Sequence, residues 1–554
     1  MPPTNHKDER KKDVEKVLAS SHARRVVAAG PGTGKSHLFA ELAKKKKAQG
    51  KTNCLAITFM GKLGDDLADA LCGLAKTTTM HGFARELVLK HARGWVYYPR
   101  IREVIAEDLA AEGITEFSIG DSNYMRWGKH YKAVGDDDVV HYAVQICNKD
   151  EKIPVYDLVL VDEYQDFNET ESRLVDALAR KNEIVIVGDD DQALYAFKGA
   201  SPGFIRAKHD ASNSDWESHT LRFCSRCTAV TIKAFHSLVA RFGLQNTAEP
   251  DVSKRRIAKD YVCFLPGDGS GKDDDSRENP HVHLIKQCPP GMIAWKIKSQ
   301  LEEFITSQHL VDVLVIGEGQ TCDAQLRQIA NQLKGYGFKN VTYRGRTNFI
   351  PVQPARAAAY SLLARDSSSV LGWRILKNPT STSEKDRHLK NAATLSRLIR
   401  DTPSKLRTIK QADIDVLEAD LEDWTSDVAA TEPLEGAEAT DREKQSDAMR
   451  RAVLTRELKA AHLHLPRPLP TVGITACSIM SSKGLGADIV FVIGFDQGRL
   501  PSKAVATESE KYQMLVALTR AKKRLYFINT TGKEVSGFVN GIDGAALVIT
   551  DASE

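Results

Sequence analysis

The 554-residue chain contains no stretch approaching the ~20 consecutive apolar residues that a bilayer span needs, so no membrane role is expected. Its opening segment, MPPTNHKDERKKD, has charge but no apolar core behind it, unlike a secretory leader. The cytoplasm is therefore the expected compartment. Cysteine is sparse and scattered, with nine residues in no disulfide-like framework, as in reduced intracellular proteins. Cys224 and Cys227 form one C-x-x-C without the second pair that a zinc site requires. A charge excess is also missing. The net charge of +4 permits a local basic groove for nucleic acid without demanding one.

What is present is organised in blocks. No short internal repeat is found, and the length suggests roughly three or four domains. Short apolar runs close at RRVVAAG, NCLAITF, YDLVLVD and EIVIVGD, each followed by a turn and a helical pattern. A second set follows at VDVLVIG (311–317), GITACSI (473–479), ADIVFVIGF (487–495) and KRLYFIN (523–529). Buried apolar strands alternating with helices give parallel sheets covered on both faces. The fold class is therefore α/β, with two lobes. Two helical insertions break the rhythm. One spans about 84–152 and carries Trp95, Tyr97, Tyr98, Tyr124 and Trp127. The other spans about 380–467, where Gln411 to Asp441 holds eleven acidic residues and no basic one. Such a run reads as a solvated helix face or loose linker and would not grip phosphates.

The strongest local signal is AGPGTGKS, from Ala29 through Gly30, Pro31, Gly32, Thr33, Gly34 and Lys35 to Ser36. It follows an apolar strand and precedes the helical HLFAELAKKKK. The glycines let backbone N–H groups close around phosphate oxygens. Lys35 would reach the β- and γ-phosphates, and the Ser36 hydroxyl would hold Mg²⁺. GDGSGKDDD (267–275) imitates this string, but its spacing is short and Asp273 replaces the hydroxyl residue, so it is read as a surface loop. The partner signal is LVLVDEYQD, in which Asp162 would hold Mg²⁺ and Glu163 would polarise the attacking water.

With VGDDDQALYAFKGA (187–200) added, the chain resembles the superfamily 1 helicases of the UvrD/Rep/PcrA type. The resemblance continues in order through AITFMGK, TTMHGFA, LRFCSRC, YRGRTNF, WRILKNP, SIMSSKGLGADIVFVIG and LVALTRAKKRL. It implies two RecA-like P-loop lobes with ATP and Mg²⁺ in the cleft between them, each lobe interrupted by a mainly helical insertion. The plan is then lobe 1 at 1–83 and 153–222 with its insertion at 84–152. Lobe 2 would occupy 223–379 and 468–554 with an insertion at 380–467. The resemblance makes Arg226 and Arg520 the arginines reaching across the cleft, Gln192 the γ-phosphate sensor, and Gly484 a nucleotide contact. It points to Thr58, Phe59, Thr79, His81, Tyr195, Phe197, Lys198, Tyr343, Arg344 and Arg346 for single-stranded DNA. Phe59 and Phe197 have core packing as the competing reading, whereas the Tyr195 hydroxyl suits a wet groove. Lys483 would link the cleft to the DNA track. The YAF string after GDDDQ resembles the branch that moves 3′ to 5′.

The departures from that family cluster. No glutamine precedes Gln49 to recognise adenine, His37 replaces the arginine that stacks on the base, Ser225 replaces an aromatic residue, and Gly486 replaces an acidic contact to ribose. Phosphate-binding groups survive while base- and sugar-binding groups change, so weak discrimination among nucleoside triphosphates is expected, with His37 as a substitute stack. No nuclease signature follows the last motif. A separate partner, such as a nuclease or repair protein, is the expectation, with single-stranded and tailed duplex DNA as substrates. The competing class is a DNA-stimulated ATPase that acts as a sensor or regulatory component without processive unwinding. An RNA motor is the third.

Overall fold

The structure is a computed structural model describing residues 6–59, 67–210, 212–244, 246, 249–266, 281–305, 311–318, 320–345, 354–377, 381–401 and 472–553. The GDGSGKDDD string, the acidic segment and Arg346 lie outside the described residues. No helix among those described is long and apolar enough to cross a membrane. The chain forms two compact units. One comprises Met1–His91, Val139–Arg346 and Pro470–Glu554, and the other Ala92–Asp138 and Thr347–Leu469.

The strands, numbered along the chain, begin with β1 (Arg24–Ala29), β2 (Cys54–Thr58) and β3 (Lys76–Thr79). β4 (Val96–Tyr97) and β5 (Ala133–Val134) make a short ladder in the second unit. β6 (Leu158–Val161), β7 (Ile184–Gly188) and β8 (Glu217–Leu221) complete a parallel sheet of order β3-β2-β6-β7-β1-β8. Its central strands are buried along their whole length, which explains why they read as unbroken apolar runs. Register then aligns their carboxyl ends. Ala28 lies beside Gly188, and Ile57 beside Val161. The P-loop, Asp162, Thr58 and the GDDDQ string therefore leave one edge of one sheet, where open parallel sheets bind ligands.

β9 (Phe223–Cys224) pairs with β10 (Val262–Cys263) alone. The second large sheet comprises β11 (Val282–Cys288), β12 (Val311–Gly317), β13 (Val341–Arg344), β14 (Val472–Ser478), β15 (Ala487–Ile493), β16 (Ala521–Thr530) and β17 (Leu547–Asp551). Its order is β13-β14-β12-β15-β16-β11-β17, again parallel throughout. The two sheets are the two RecA-like lobes. One face of the second sheet buries Val315, Ile329, Phe491 and Ile528. The other belongs to a core that includes Val490, Phe527 and Phe235 together with Leu194 and Tyr195 of the first lobe. Both lobes thus share one apolar body.

The helix Val139–Cys147 packs on the helices Met80–His91 and Glu169–Ala179, so it belongs with the first unit. The sequence alone places it in the insertion, because its apolar pattern is helical and no strand flanks it. In the second unit, the Arg374 guanidinium ties residues from both of its segments, bonding Asp108 Oδ1 at 2.8 Å and Glu107 Oε2 at 3.1 Å.

Candidate active site

The chain leaves β1 at Ala29 and turns into the helix Lys35–Ala48. Gly32 and Gly34 sit at φ +67° and +97°, a region that side chains strain to enter. Gly30 is required by close approach, since a Cβ there would lie 2.1 Å from Cζ of Tyr261. The Tyr261 hydroxyl is buried against this loop with no hydrogen-bond partner among the described residues. Gly34 offers no side chain to cap the helix, so the first N–H groups remain available to an anion. Ser36 and His37 are on the first turn, and both are exposed.

Asp162 and Glu163 follow β6. Glu163 holds φ +53°, a conformation costing a non-glycine residue on the order of 1–3 kcal/mol. Its carboxylate accepts from Lys35 Nζ at 2.8 Å and from Gln165 Nε2 at 2.6 Å. Burial would raise the Glu163 pKa, but the charges of Lys35 and Lys483 outweigh it and hold the group well below the usual range. Burial likewise opposes the Lys35 charge, and Glu163 with Asp162 more than restores it. Asp162 is pushed up to about 6 by burial and by neighbouring Glu163. Glu163 is thus held ionised, whereas burial and the Glu163 charge favour the neutral form of Asp162.

β7 ends in the same place. Asp189 N–H donates to Gln165 Oε1 at 2.9 Å, and Gln192 Nε2 donates to Asp189 Oδ2 at 2.6 Å. From the second lobe, Arg520 Nη2 donates to Gln192 Oε1 at 2.9 Å. Arg520 is 1 % exposed, and its other bonds go to Val516 O, Leu485 O and Thr519 Oγ1, all neutral acceptors. Burial first, and then the charge of Arg226, push its pKa down to about 9. A buried cation bonded only to neutral acceptors suits an anionic ligand.

Arg226 comes from the loop after β9. Ser225 N–H and Oγ both donate to Gly32 O at 2.9 Å, and the Cys224 thiol donates to Pro31 O at 2.9 Å. The Cys227 thiol donates to Thr519 O at 3.6 Å, beside Arg520. The C-x-x-C pair is therefore a clasp that joins the P-loop to the segments carrying Arg226 and Arg520, with free, buried thiols. A Cβ on Gly486 would lie 3.3 Å from Arg226 Nε, so the Arg226 side chain passes close to this glycine. Gly484, at φ +79°, turns the loop that carries Lys483.

Sequence reasoning missed the groups that hold GDDDQ. Asp189, Asp190 and Asp191 are fully buried and close enough together to resemble a metal cluster. Lys259 Nζ takes that position, 2.6 Å from Asp189 Oδ1 and 3.0 Å from Asp191 Oδ2, and it also pairs with Asp190. Arg206 Nε donates to Asp190 at 2.8 Å, and Arg256 forks onto Asp191 with two bonds of 2.7 Å. The only available signal was the basic string SKRRIAK (253–259), distant in sequence from the acids.

The residues assigned to DNA in the first lobe cluster after β2, β3 and β7. The Phe59 and Tyr195 rings lie 4.8 Å apart, Tyr195 and Phe197 6.0 Å apart, and Lys198 Nζ sits 5.7 Å over Tyr195. Exposure reverses the sequence preference, with Phe197 64 % exposed and Tyr195 only 6 %. Tyr195 is enclosed because Phe59 packs on it and Lys483 Nζ lies 5.7 Å over its ring. Thr58 Oγ1 is buried with no hydrogen-bond partner among the described residues. Thr79 Oγ1 accepts from Gly82 N–H at 3.0 Å, and His81 Nδ1 is 3.8 Å from Glu171. Lys483 is 4 % exposed, pairs with Asp166, and donates to Gln192 O at 2.5 Å, so in this conformation it is an internal link. Tyr343 and Arg344 end β13 at the edge of the second sheet, apart from the first-lobe group. There the Tyr343 hydroxyl donates to Asp323 O at 3.2 Å, and the Arg327 guanidinium lies 5.2 Å over its ring.

Residues 13–198 match the model of a family described as an AAA domain, and residues 376–532 that of the UvrD-like helicase C-terminal domain. Over 126 residues the chain is 30% identical to an ATP-dependent helicase/nuclease subunit from Lactococcus lactis subsp. cremoris (strain SK11), covering 22% of this chain and 10% of that protein. It is 31% identical over 91 residues to the Exonuclease/helicase subunit RexA of Lactococcus lactis subsp. cremoris (strain MG1363), 16% of this chain and 8% of that one. The ATP-dependent helicase/nuclease subunit from Desulfitobacterium hafniense (strain DSM 10664 / DCB-2) is 34% identical over 98 residues, 16% and 7% of the two chains. The matches therefore span about a tenth or less of these relatives' own length. With the P-loop lobe and the C-terminal lobe each matched in its place, the two family matches and the helicase-named relatives together support a UvrD-like superfamily 1 helicase.

Proposed function

We propose that the chain hydrolyses ATP and uses the cycle to move 3′ to 5′ along single-stranded DNA and separate strands. The observation that carries this reading is the position of Gln192. Its side chain meets Arg520 of the second lobe and its carbonyl meets Lys483, which also covers Tyr195 beneath the exposed Phe197. A change at the nucleotide therefore has a short path to the aromatic surface, on which bases can stack without sequence preference.

The P-loop amides and Lys35 bind the phosphates, and a phosphate that takes Lys35 frees Glu163 from its ion pair. Glu163, ionised at neutral pH, then accepts a proton from the attacking water. Arg520 and Arg226 neutralise charge on the transferred phosphoryl group. Ser36 and Asp162 would hold Mg²⁺, and the raised Asp162 pKa fits a carboxylate built to meet a cation. The bound ion supplies charge neutralisation at the phosphates. Tailed duplexes are the proposed substrate, the cytoplasm the proposed compartment, and a nuclease or repair protein the proposed partner.

The test is strand displacement by the purified chain on matched duplexes with a 3′ or a 5′ single-stranded tail, with Lys35→Ala as the blank. Displacement only from the 3′ tail, lost in the variant, supports the reading. DNA-stimulated hydrolysis without displacement from either tail supports a sensor instead.

A further inference from the structure

A cavity of about 630 Å³ opens beside the phosphate cradle, lined by Arg10, Val14 and Leu18 of the N-terminal helix, His37 and Glu41 of the P-loop helix, and Phe264. We propose that this cavity takes the base of the nucleotide, gripped by the Phe264 ring and the Arg10 guanidinium, and that it accepts the common nucleoside triphosphates with little preference. The inference rests on the nucleotide-site reading of the P-loop.

The placement is direct. Arg10 Nη2 lies 3.2 Å from where a Cβ on Gly34 would stand, at the residue that opens the phosphate-binding helix. His37 and Glu41 lie one turn apart on that same helix. A ligand whose phosphates meet Lys35 and Ser36 therefore has this cavity at its margin.

The grip is built from residues that replace the lost ones. Phe264 is half-buried and anchored on both sides. Its N–H donates to Cys224 O at 2.9 Å, and adjacent Leu265 exchanges bonds with His6, at 2.9 Å to its carbonyl and 3.1 Å from its N–H. The Arg10 guanidinium lies 4.6 Å over the Phe264 ring. A flexible arginine swings outward by one ring's thickness to admit a base, which then lies between an aromatic face and a cation. Ser225 stands where the family carries an aromatic residue, and its hydroxyl is spent on Gly32 O.

Selectivity follows from the same chemistry. A face grips every base, whereas strong discrimination requires buried donors and acceptors aimed at one base edge. The polar groups of this cavity are chiefly charged tips at the surface, and Glu41 is engaged by Lys44 at 2.8 Å.

The experiment measures binding of ATP, GTP, CTP, UTP and inorganic tripolyphosphate, each with Mg²⁺, to the full chain by calorimetry. Wild type, Phe264→Ala, Phe264→Trp, Arg10→Ala and Lys35→Ala are compared. The four nucleotides should bind within about tenfold of one another, because stacking alone separates them. Phe264→Ala should weaken all four by about five- to a hundredfold while leaving tripolyphosphate unchanged, Arg10→Ala should do so less, and Phe264→Trp should restore them. ATP bound more than about a hundredfold tighter than the rest, unchanged nucleotide affinity in Phe264→Ala, or an equal loss for tripolyphosphate would each overturn the proposal. Tripolyphosphate binding that ignores Lys35→Ala would instead sink the nucleotide-site reading, and this inference with it.

Discussion

Arg520 of the second lobe donates a 2.9 Å hydrogen bond to the side-chain oxygen of Gln192 in the first, and both residues are almost wholly buried. This contact ties the arginine to the loop that carries Gln192. Arg520→Ala should lower the maximal hydrolysis rate by on the order of 10³-fold or more while nucleotide binding persists. Gln192→Ala should uncouple the sites, so that single-stranded DNA no longer stimulates the residual rate. Steady-state hydrolysis with and without DNA checks both outcomes.

Glu163 is held ionised by Lys35 and Lys483 and strained at φ +53°. Glu163→Gln should cost on the order of 10²–10⁴ in turnover by removing the proton acceptor. It should also remove an opposing charge from Lys35, so nucleotide affinity should hold or rise. Single-turnover hydrolysis alongside equilibrium binding separates the two effects.

The Asp189–Asp191 cluster is a balance of three carboxylates against Lys259, Arg206 and Arg256. Lys259 is buried and its pKa stays above the ordinary lysine value, since the three carboxylates outweigh burial. Lys259→Met should destabilise the chain by about 3–5 kcal/mol, because buried carboxylates lose their partner. Chemical denaturation measures it, and an unchanged midpoint would count against a structural role for this ion cluster.

His283 stacks on Tyr526 within the second sheet, at 4.8 Å. Burial, followed by the charge of Arg524, pushes its pKa down to about 4, while the unfolded chain keeps an ordinary histidine value. Between about pH 6.5 and 4 the unfolded state therefore binds the proton first, and stability falls as pH falls through that window. His283→Phe should flatten this part of the stability curve, as thermal melts at stepped pH would show.

Much of this was legible in the sequence, for identifiable reasons. β1, β2, β6 and β7 are buried on both faces, so each reads as a continuous apolar run, and the phosphate-binding loop between β1 and its helix needs glycines at fixed spacing. The edge strands β3 (KTTT) and β8 (ESHTL) were not legible, because an edge shares less of the core and carries polar side chains. The grip of Lys259 on Asp189 and the placing of Phe264 beside Arg10 depend on chain segments roughly 70 and 250 residues apart. No local pattern encodes such pairs. Exposure within one short string was equally hidden, since Tyr195 and Phe197 differ only in which neighbours close over them.

The central claim is movement along single-stranded DNA driven by hydrolysis. Its most direct measurement is ATP-dependent displacement of streptavidin from single strands biotinylated at one end or the other. The account expects release from the 5′ end only, abolished by Lys35→Ala. Hydrolysis stimulated by DNA with no release from either end would contradict it.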